Sequence, residues 1–163
     1  MKLLSHPASP PKAVEAVHVS ADLRRGPSML VYRVTGDLLM GEAAAPERVD
    51  GLWQRTCFEL FVWPVGSPGY FEFNFAPSTQ WAAYTLEGYR AGLAGLAIAA
   101  PAIERLEDGV HVAVDLSGLP DGHWRVGISA VIEESDGTIS YWALAHPPGK
   151  ADFHDPACFV LTV

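Results

Sequence analysis

The sequence predicts an all-β domain, a sandwich or barrel of short strands. Three observations carry that. Apolar residues recur at every second position through most of the chain, the period of a strand with one buried face. The runs are short and divided by turn punctuation such as "RRGPS", "VGSPG", "LPDGH" and "ESDGT",. Hydrophobic residues make up 49% and charged residues 18%, so the chain can fold around a core. Its 163 residues fit a single domain, residues 1–163, that buries roughly 70% of its unfolded surface.

Residues 1–12, "MKLLSHPASPPK", are broken by polar residues and prolines. They are expected to be poorly ordered or extended, and their apolar run is too short for a signal-peptide core. Strands are then expected at "AVHVSADL", "SMLVYRVTGDL", "RTCFELFVWP", "GYFEFNFAP" and "WAAYTLEGY". Residues 89–109 depart from the alternation. Gly92, Gly95 and Pro101 argue against a long helix there,. A loop with one helical turn, leading to a strand near "AIERLE", is expected. "VHVAVDL", "WRVGISAVIEE", "ISYWALAH" and "CFVLTV" complete the set, about nine strands in all,. The Asp-Gly of "ESDGT" marks the clearest hairpin. The expected core includes Phe58, Leu60, Phe71, Phe73, Phe75, Val112, Val114, Val126 and Ile128.

Alternation also sorts the polar residues. In "RTCFELFVW", Phe58, Leu60 and Val62 share one face, and Arg55, Cys57, Glu59, Phe61 and Trp63 the other. In "YFEFNFA", Glu72 and Asn74 oppose the phenylalanines. If the two strands are antiparallel neighbours, Arg55, Glu59, Glu72 and Asn74 meet on one face, with Trp53 and Tyr70 beside them. Aromatic rings next to planar hydrogen-bonding groups suit a sugar, which offers a C–H face and hydroxyls. Ordinary solvent-facing residues would give the same alternation, and that is the preferred reading of His111 and Asp115.

Other chemistries find less support. The formal net charge is −8, and beyond Arg24–Arg25 there is no basic cluster, so nucleic acid is not expected as a partner. A basic sugar polymer is compatible with that charge. No run is long and apolar enough for a membrane span, and a cytoplasmic location is expected. No GxSxG, HExxH or P-loop is present, so no catalytic residue is assigned. Glu59 and Glu72 could form a glycosidase pair if suitably spaced. His146, Asp152 and His154 match no established metal spacing, and no metal or cofactor is expected. Cys57 and Cys158 fit two reduced cysteines better than a site, although pairing between them stays open.

The segment "GLWQRTCFELFVWP…GYFEFNFAPSTQWAAYTLEGYR" resembles the DOMON-like superfamily, which includes family-9 carbohydrate-binding modules. The shared pattern is a Trp, a strand carrying Glu, a short turn and a Tyr-led strand with E-F-N. The closing "YWALAHPPGK…DFH…CF" is similar to that of a bacterial stand-alone, murB-like group of DOMON-like proteins. The resemblance implies a jelly-roll-like antiparallel β-sandwich with ligand-binding Trp53, Glu59 and Asn74. Gln54 and Arg55 stand where carbohydrate-binding relatives often carry an acidic residue. Haem-binding DOMON domains use Met and His axial ligands. Only Met1, Met29 and Met40 are available here, and none is paired with a histidine by the pattern.

The combined expectation is a non-catalytic domain that binds a carbohydrate or sugar-containing metabolite. Alternatives are an enzyme using Glu59, Glu72 or His146 as acid or base, an interaction domain, and haem binding. The closing loop supplies the second half of the expected site. Trp142 and His146 are read on one strand face, with Lys150, Asp152 and His154 forming a polar wall and Phe153 an apolar floor. A structural plug is the competing reading, with Asp152 capping its own turn.

Overall fold

The computed structural model describes all 163 residues. Twelve strands follow in order: β1 (Lys2–Ser5), β2 (Val14–Asp22), β3 (Pro27–Gly36), β4 (Cys57–Pro64), β5 (Tyr70–Phe75) and β6 (Trp81–Leu86), then β7 (Ala94–Gly95), β8 (Ala102–Leu106), β9 (Gly109–Asp115), β10 (Trp124–Glu133), β11 (Ile139–Ala143) and β12 (Leu161–Thr162). There is no α-helix, only two 3-10 turns at Leu52–Gln54 and Pro156–Cys158. No helix is long and apolar enough to cross a membrane.

The strands form one curled antiparallel path, β7-β6-β5-β4-β10-β11-β1-β2-β3-β9-β8, with β12 against β10. β1 joins the two halves. Leu4 and Ser5 pair with Ala143 and Trp142 of β11, while Lys2 and Leu3 pair with His18 and Val17 of β2. The path folds back there into two packed layers, an antiparallel β-sandwich. One apolar face of each layer points inward. β4, β5 and β10 give Phe58, Leu60, Val62, Phe73, Phe75, Val126 and Ile128, and the opposite layer gives Val17, Leu30, Tyr32, Val110, Val112 and Val114. Phe71 packs at the margin of this core. Tyr32 is fully buried, and its hydroxyl crosses to donate to the Glu59 carbonyl at 2.8 Å. That bond meets the need of a buried hydroxyl for a partner.

The "ESDGT" hairpin forms as its composition implies. Gly137 sits at φ +84°, its amide donates to the Glu134 carbonyl, and the Glu134 amide donates to Thr138. Glycine adopts that left-handed conformation without a Cβ penalty.

Two stretches depart from the expected elements, residues 89–109 and the closing segment. Within residues 1–12, Lys2–Ser5 is extended as a paired strand, with Leu3 fully buried. Leu3 belongs to the core, and that burial outweighs the polar surroundings. Residues 89–109 contain no helical turn, and Ala94–Gly95 pair with Tyr84 and Thr85 instead. "CFVLTV" is a strand only at Leu161–Thr162, because the Pro156–Cys158 turn precedes it. Asp155 caps that turn by accepting from the Ala157 amide at 2.8 Å, a standard use of Asp ahead of a helical turn. Cys57 and Cys158 are both free and buried.

Candidate ligand-binding cavity

The outward face of the β4-β5-β6-β10-β11 layer should be solvated, but loops wall it in. Cross-strand rows build its floor. One row runs Ala82–Asn74–Glu59–Ser129–Ala143 across β6, β5, β4, β10 and β11. The adjacent row runs Tyr84–Glu72–Phe61–Gly127. Residues on one face of neighbouring strands meet directly or diagonally. Glu59 and Glu72 are such diagonal neighbours, so the carboxylates expected on one face are there together.

A cavity of about 1140 Å³ opens above these rows. Glu59, Phe61, Glu72, Tyr84, Leu86, Val131 and Tyr141 line it from the sheet. Arg48, Asp50, Gly51 and Trp53 come from the segment before β4. Arg90, Leu93, Ala94 and Gly95 come from the segment after β6, and Lys150, Ala151, Phe153 and His154 from the closing loop. Trp53 is 54% exposed, placing an open aromatic face at the rim.

The floor is electrostatically unusual. Glu59 and Glu72 are 3% and 6% exposed. Glu59 Oε2 accepts from Ser129 Oγ at 2.8 Å, and Glu72 Oε1 from Asn74 Nδ2 at 2.9 Å. Neither carboxyl group is within hydrogen-bond distance of a lysine or arginine. Burial pushes the Glu59 carboxyl well above the ordinary carboxylate range, and the charge of Glu72 adds to that. Burial also raises Glu72, opposed by the Asn74 bond and by Arg90. Two like charges out of water cannot both ionise cheaply. Asn74 Oδ1 is buried without a donor, and Asn74 stands opposite Glu59 in the ladder.

His154 connects this floor to the closing loop. Its Nδ1 lies 2.7 Å from Tyr70 Oη, and its Nε2 lies 3.9 Å from Glu72 Oε2. The Arg90 amide donates to Tyr70 Oη at 3.3 Å. A neutral ring with the proton on Nε2 lets Tyr70 donate to Nδ1 and directs N–H toward Glu72. Burial, reinforced by Arg90, lowers the His154 pKa to about 4.

The loops are tied to each other as well as to the sheet. Arg90 holds Asp152 through Nη2–Oδ1 at 2.7 Å and Nε–Oδ2 at 3.4 Å, and Tyr89 Oη also donates to that carboxylate. Burial alone would raise Asp152, but Arg90 and Tyr89 outweigh it and hold the carboxyl below its usual value. Arg48 lies over the Trp81 ring at 4.6 Å and donates to the carbonyls of Ala83 and Leu96. Tyr84 Oη donates to Asp50 Oδ1 at 2.6 Å. Farther along the face, Phe159 packs on Phe61, Trp63 and Tyr70. A Cβ on Gly127 would stand 3.2 Å from the Cys158 carbonyl, so the glycine admits the closing segment's backbone.

The expected site residues therefore divide. Trp53, Glu59, Glu72, Lys150 and His154 line the cavity, with Phe153 beside them. Asn74 and Asp152 lie behind that lining and hold Glu72 and Arg90. Asp152 also accepts from the His154 amide at 3.0 Å, which is the local turn of the competing reading.

Three residues lie elsewhere. Arg55 precedes β4, so strand alternation does not govern it, and its 77% exposed side chain pairs with Glu133. Trp142 belongs to the inner core, and its indole donates to Ser140 Oγ at 2.9 Å. His146 lies beyond the end of β11, where alternation no longer applies. Its Nε2 donates to the Leu4 carbonyl at 2.8 Å, and its ring packs on His6 and Phe153. His146, Asp152 and His154 thus do not converge on a metal site, and no group of three metal-ligating side chains occurs.

Arg48, Asp50, Tyr84, Arg90 and Tyr141 were not anticipated. Alternation on β6 and β11 carried a signal for the two tyrosines. Tyr84 lies between the core residue Ala83 and half-buried Thr85, and Tyr141 between buried Ser140 and Trp142.

No family model matches the sequence, and neither does any curated protein. Among solved structures, the chain is similar to a "putative carbohydrate-binding protein" from Bacteroides uniformis, with a TM-score of 0.71 and 14% identity. The match covers 99% of this chain and 83% of that one. At that identity the likeness concerns the fold, and it extends over both layers of the sandwich.

Proposed function

We propose that the cavity binds a carbohydrate or a sugar-containing metabolite, and that the domain works by binding rather than by chemical conversion. The observation that carries this reading is the composition of the cavity. Trp53, Tyr84, Tyr141 and Phe153 offer ring faces or edges, while Glu59, Glu72 and Lys150 offer hydrogen-bonding groups around the same space. A sugar needs both, an apolar surface for its C–H face and convergent polar groups for its hydroxyls. The name of the Bacteroides protein is consistent with this reading, as is the DOMON-like resemblance. A cytoplasmic sugar metabolite is the ligand type that fits the expected location.

Calorimetric titration of a neutral and charged saccharide panel tests the reading. Trp53→Ala and Lys150→Ala should each weaken binding by about tenfold, or 1.4 kcal/mol. The melting temperature should not change, because both side chains are at the rim. Loss of stability without loss of affinity would reject the cavity as the site.

One observation favours a second reading. A carboxyl held protonated beside a second carboxyl is the arrangement of acid–base hydrolysis. Glu59 would donate its proton to the leaving glycosidic oxygen as the C–O bond breaks. Glu72 would take a proton from the attacking water, leaving a hydroxyl on each fragment. Mass spectrometry after long incubation with the binding saccharide separates the two, since cleaved product supports only the second.

A further inference from the structure

We propose that the floor of the cavity takes a protonated amine, so that the ligand is an aminated sugar with its ammonium group between Glu59 and Glu72. This rests on the cavity being a carbohydrate site and specifies which sugars it selects.

The floor holds two buried carboxyl groups facing an open cavity, and the protein gives each only a neutral donor. Ser129 serves Glu59 and Asn74 serves Glu72. A carboxylate has about four acceptor positions, so both are under-filled. Removal from water of charges without a counter-charge is costly unless a cation arrives.

The charged groups around the cavity do not provide that cation. Arg48 is committed to two backbone carbonyls and the Trp81 ring. Arg90 is committed to Asp152. Asp50 is acidic and accepts from Tyr84. His154 is bound to Tyr70 through Nδ1, and its Nε2 lies 3.9 Å from Glu72 Oε2 on a ring that burial keeps neutral. Lys150 is exposed and makes no ion pair in this structure. The space between Glu59 and Glu72 is therefore open to an ammonium group from outside.

An ammonium carries three donors, enough to serve both carboxylates and a further acceptor. Charge-assisted hydrogen bonds are roughly twice as strong as neutral ones. A neutral hydroxyl in the same place would leave Glu59 protonated and gain only the weaker bond. Seating the amine instead displaces the Glu59 proton to solvent, so binding and proton release are linked. Affinity should rise with pH while the amine stays charged and Glu59 is still protonated in the free protein, and stop rising once the amine itself loses its proton.

The experiment is calorimetry on the full chain at about pH 5.5, where even a sugar amine, made less basic by its neighbouring oxygens, is charged. Four probes are compared: a glucosamine trisaccharide, its fully N-acetylated form, the corresponding glucose trisaccharide and 1,6-diaminohexane. Each is measured in two buffers of different ionisation enthalpy. The aminated trisaccharide should bind at least about tenfold more tightly than the acetylated and neutral ones. It should release about one proton on binding. Glu59→Gln, which keeps the shape and the Ser129 contact, should abolish both the preference and the release.

If the neutral trisaccharide binds as well as the aminated one, the amine proposal fails and the carbohydrate reading stands. If diaminohexane binds as tightly as the aminated trisaccharide, the sugar part fails and the proposal fails with it. Absence of binding by all four overturns both. If Glu59→Gln does not fold, Glu72→Gln is the second variant, and an unchanged preference for the amine in it overturns the proposal.

Discussion

Tyr70 and His154, 84 positions apart, are joined by a 2.7 Å hydrogen bond between Oη and Nδ1. This bond fixes a closing-loop side chain onto the β5 face beside Glu72. With Tyr70 as the donor, Nδ1 keeps its lone pair, which matches the neutral imidazole that burial favours,. The His154 pKa of about 4 lies below the usual histidine value, so the folded state binds the proton less well than the unfolded chain. The resulting stabilisation is fully present above about pH 6.5 and is lost as pH falls through about 4. NMR titration should show the His154 ring neutral until about pH 4. Tyr70→Phe should lower stability by about 1–3 kcal/mol, because it leaves Nδ1 buried without a donor.

Glu59 shifts stability in the opposite direction along the pH axis. Its raised carboxyl holds a proton that the unfolded chain loses above the ordinary glutamate value. Stability from this group is therefore present at low pH and declines as pH rises through the folded-state value. Glu59→Gln should remove that decline. Above pH 8 the variant should be more stable than the parent, because the parent then carries a buried carboxylate without a counter-charge and the amide does not. Denaturant titrations at pH 5, 7 and 9 check this, and parallel curves for parent and variant would contradict it.

The Arg90–Asp152 pair should respond asymmetrically. Arg90 is 51% exposed at its side chain and Asp152 only 17%, so solvent screens the pair and its own contribution is about 1 kcal/mol or less. Arg90→Met should cost no more than that. Asp152→Ala should cost about 1–3 kcal/mol, because the His154 amide loses its acceptor as well. Both variants should weaken ligand binding, since the loop they hold presents Lys150, Phe153 and His154. A double-mutant cycle would show whether the coupling is confined to this pair.

Gly127→Ala tests how closely the closing segment lies on β10. The added methyl would meet the Cys158 carbonyl at 3.2 Å, tighter than ordinary contact and against backbone. Overpacking of this kind costs about 1–3 kcal/mol. Faster amide exchange should appear at Cys158 and Phe159, with the inner core unaffected.

Much of this arrangement is legible in the sequence because strand parity is simple. Phe58, Leu60 and Val62 point inward and Glu59 points outward, whatever the sheet packs against, and Glu72 and Asn74 follow the same rule on β5. The pairing of β4 with β5 needs only the short turn between them. Parity misleads where a strand ends. Arg55 lies two residues before β4, on extended backbone just after a 3-10 turn, and it turns away to Glu133. His146 lies three residues beyond β11. Trp142 is truly on the strand, but its face is set by pairing with Ala130 and Ser5, which alternation alone does not specify.

The cavity walls were harder to foresee. Arg48, Arg90 and Lys150 come from three connections that are distant in sequence and converge only after β4, β6 and β11 are laid side by side. Their spacing carries no motif. The packing of Phe159 over Phe61 and Tyr70 likewise depends on a return of the chain that no local period encodes.

The bridging strand β1 has a kinetic consequence. The β2-β3, β4-β5-β6 and β10-β11 units are local hairpins or meanders, able to form with little loop closure. The junction between the layers is different, since Leu4 must find Ala143 near the opposite end of the sequence while Leu3 pairs with Val17. Contacts of such high sequence separation slow folding, because chain entropy is lost before any contact rewards it. β1 should thus dock late, onto two layers already formed. A mutation in it, such as Leu3→Ala, should speed unfolding far more than it slows folding.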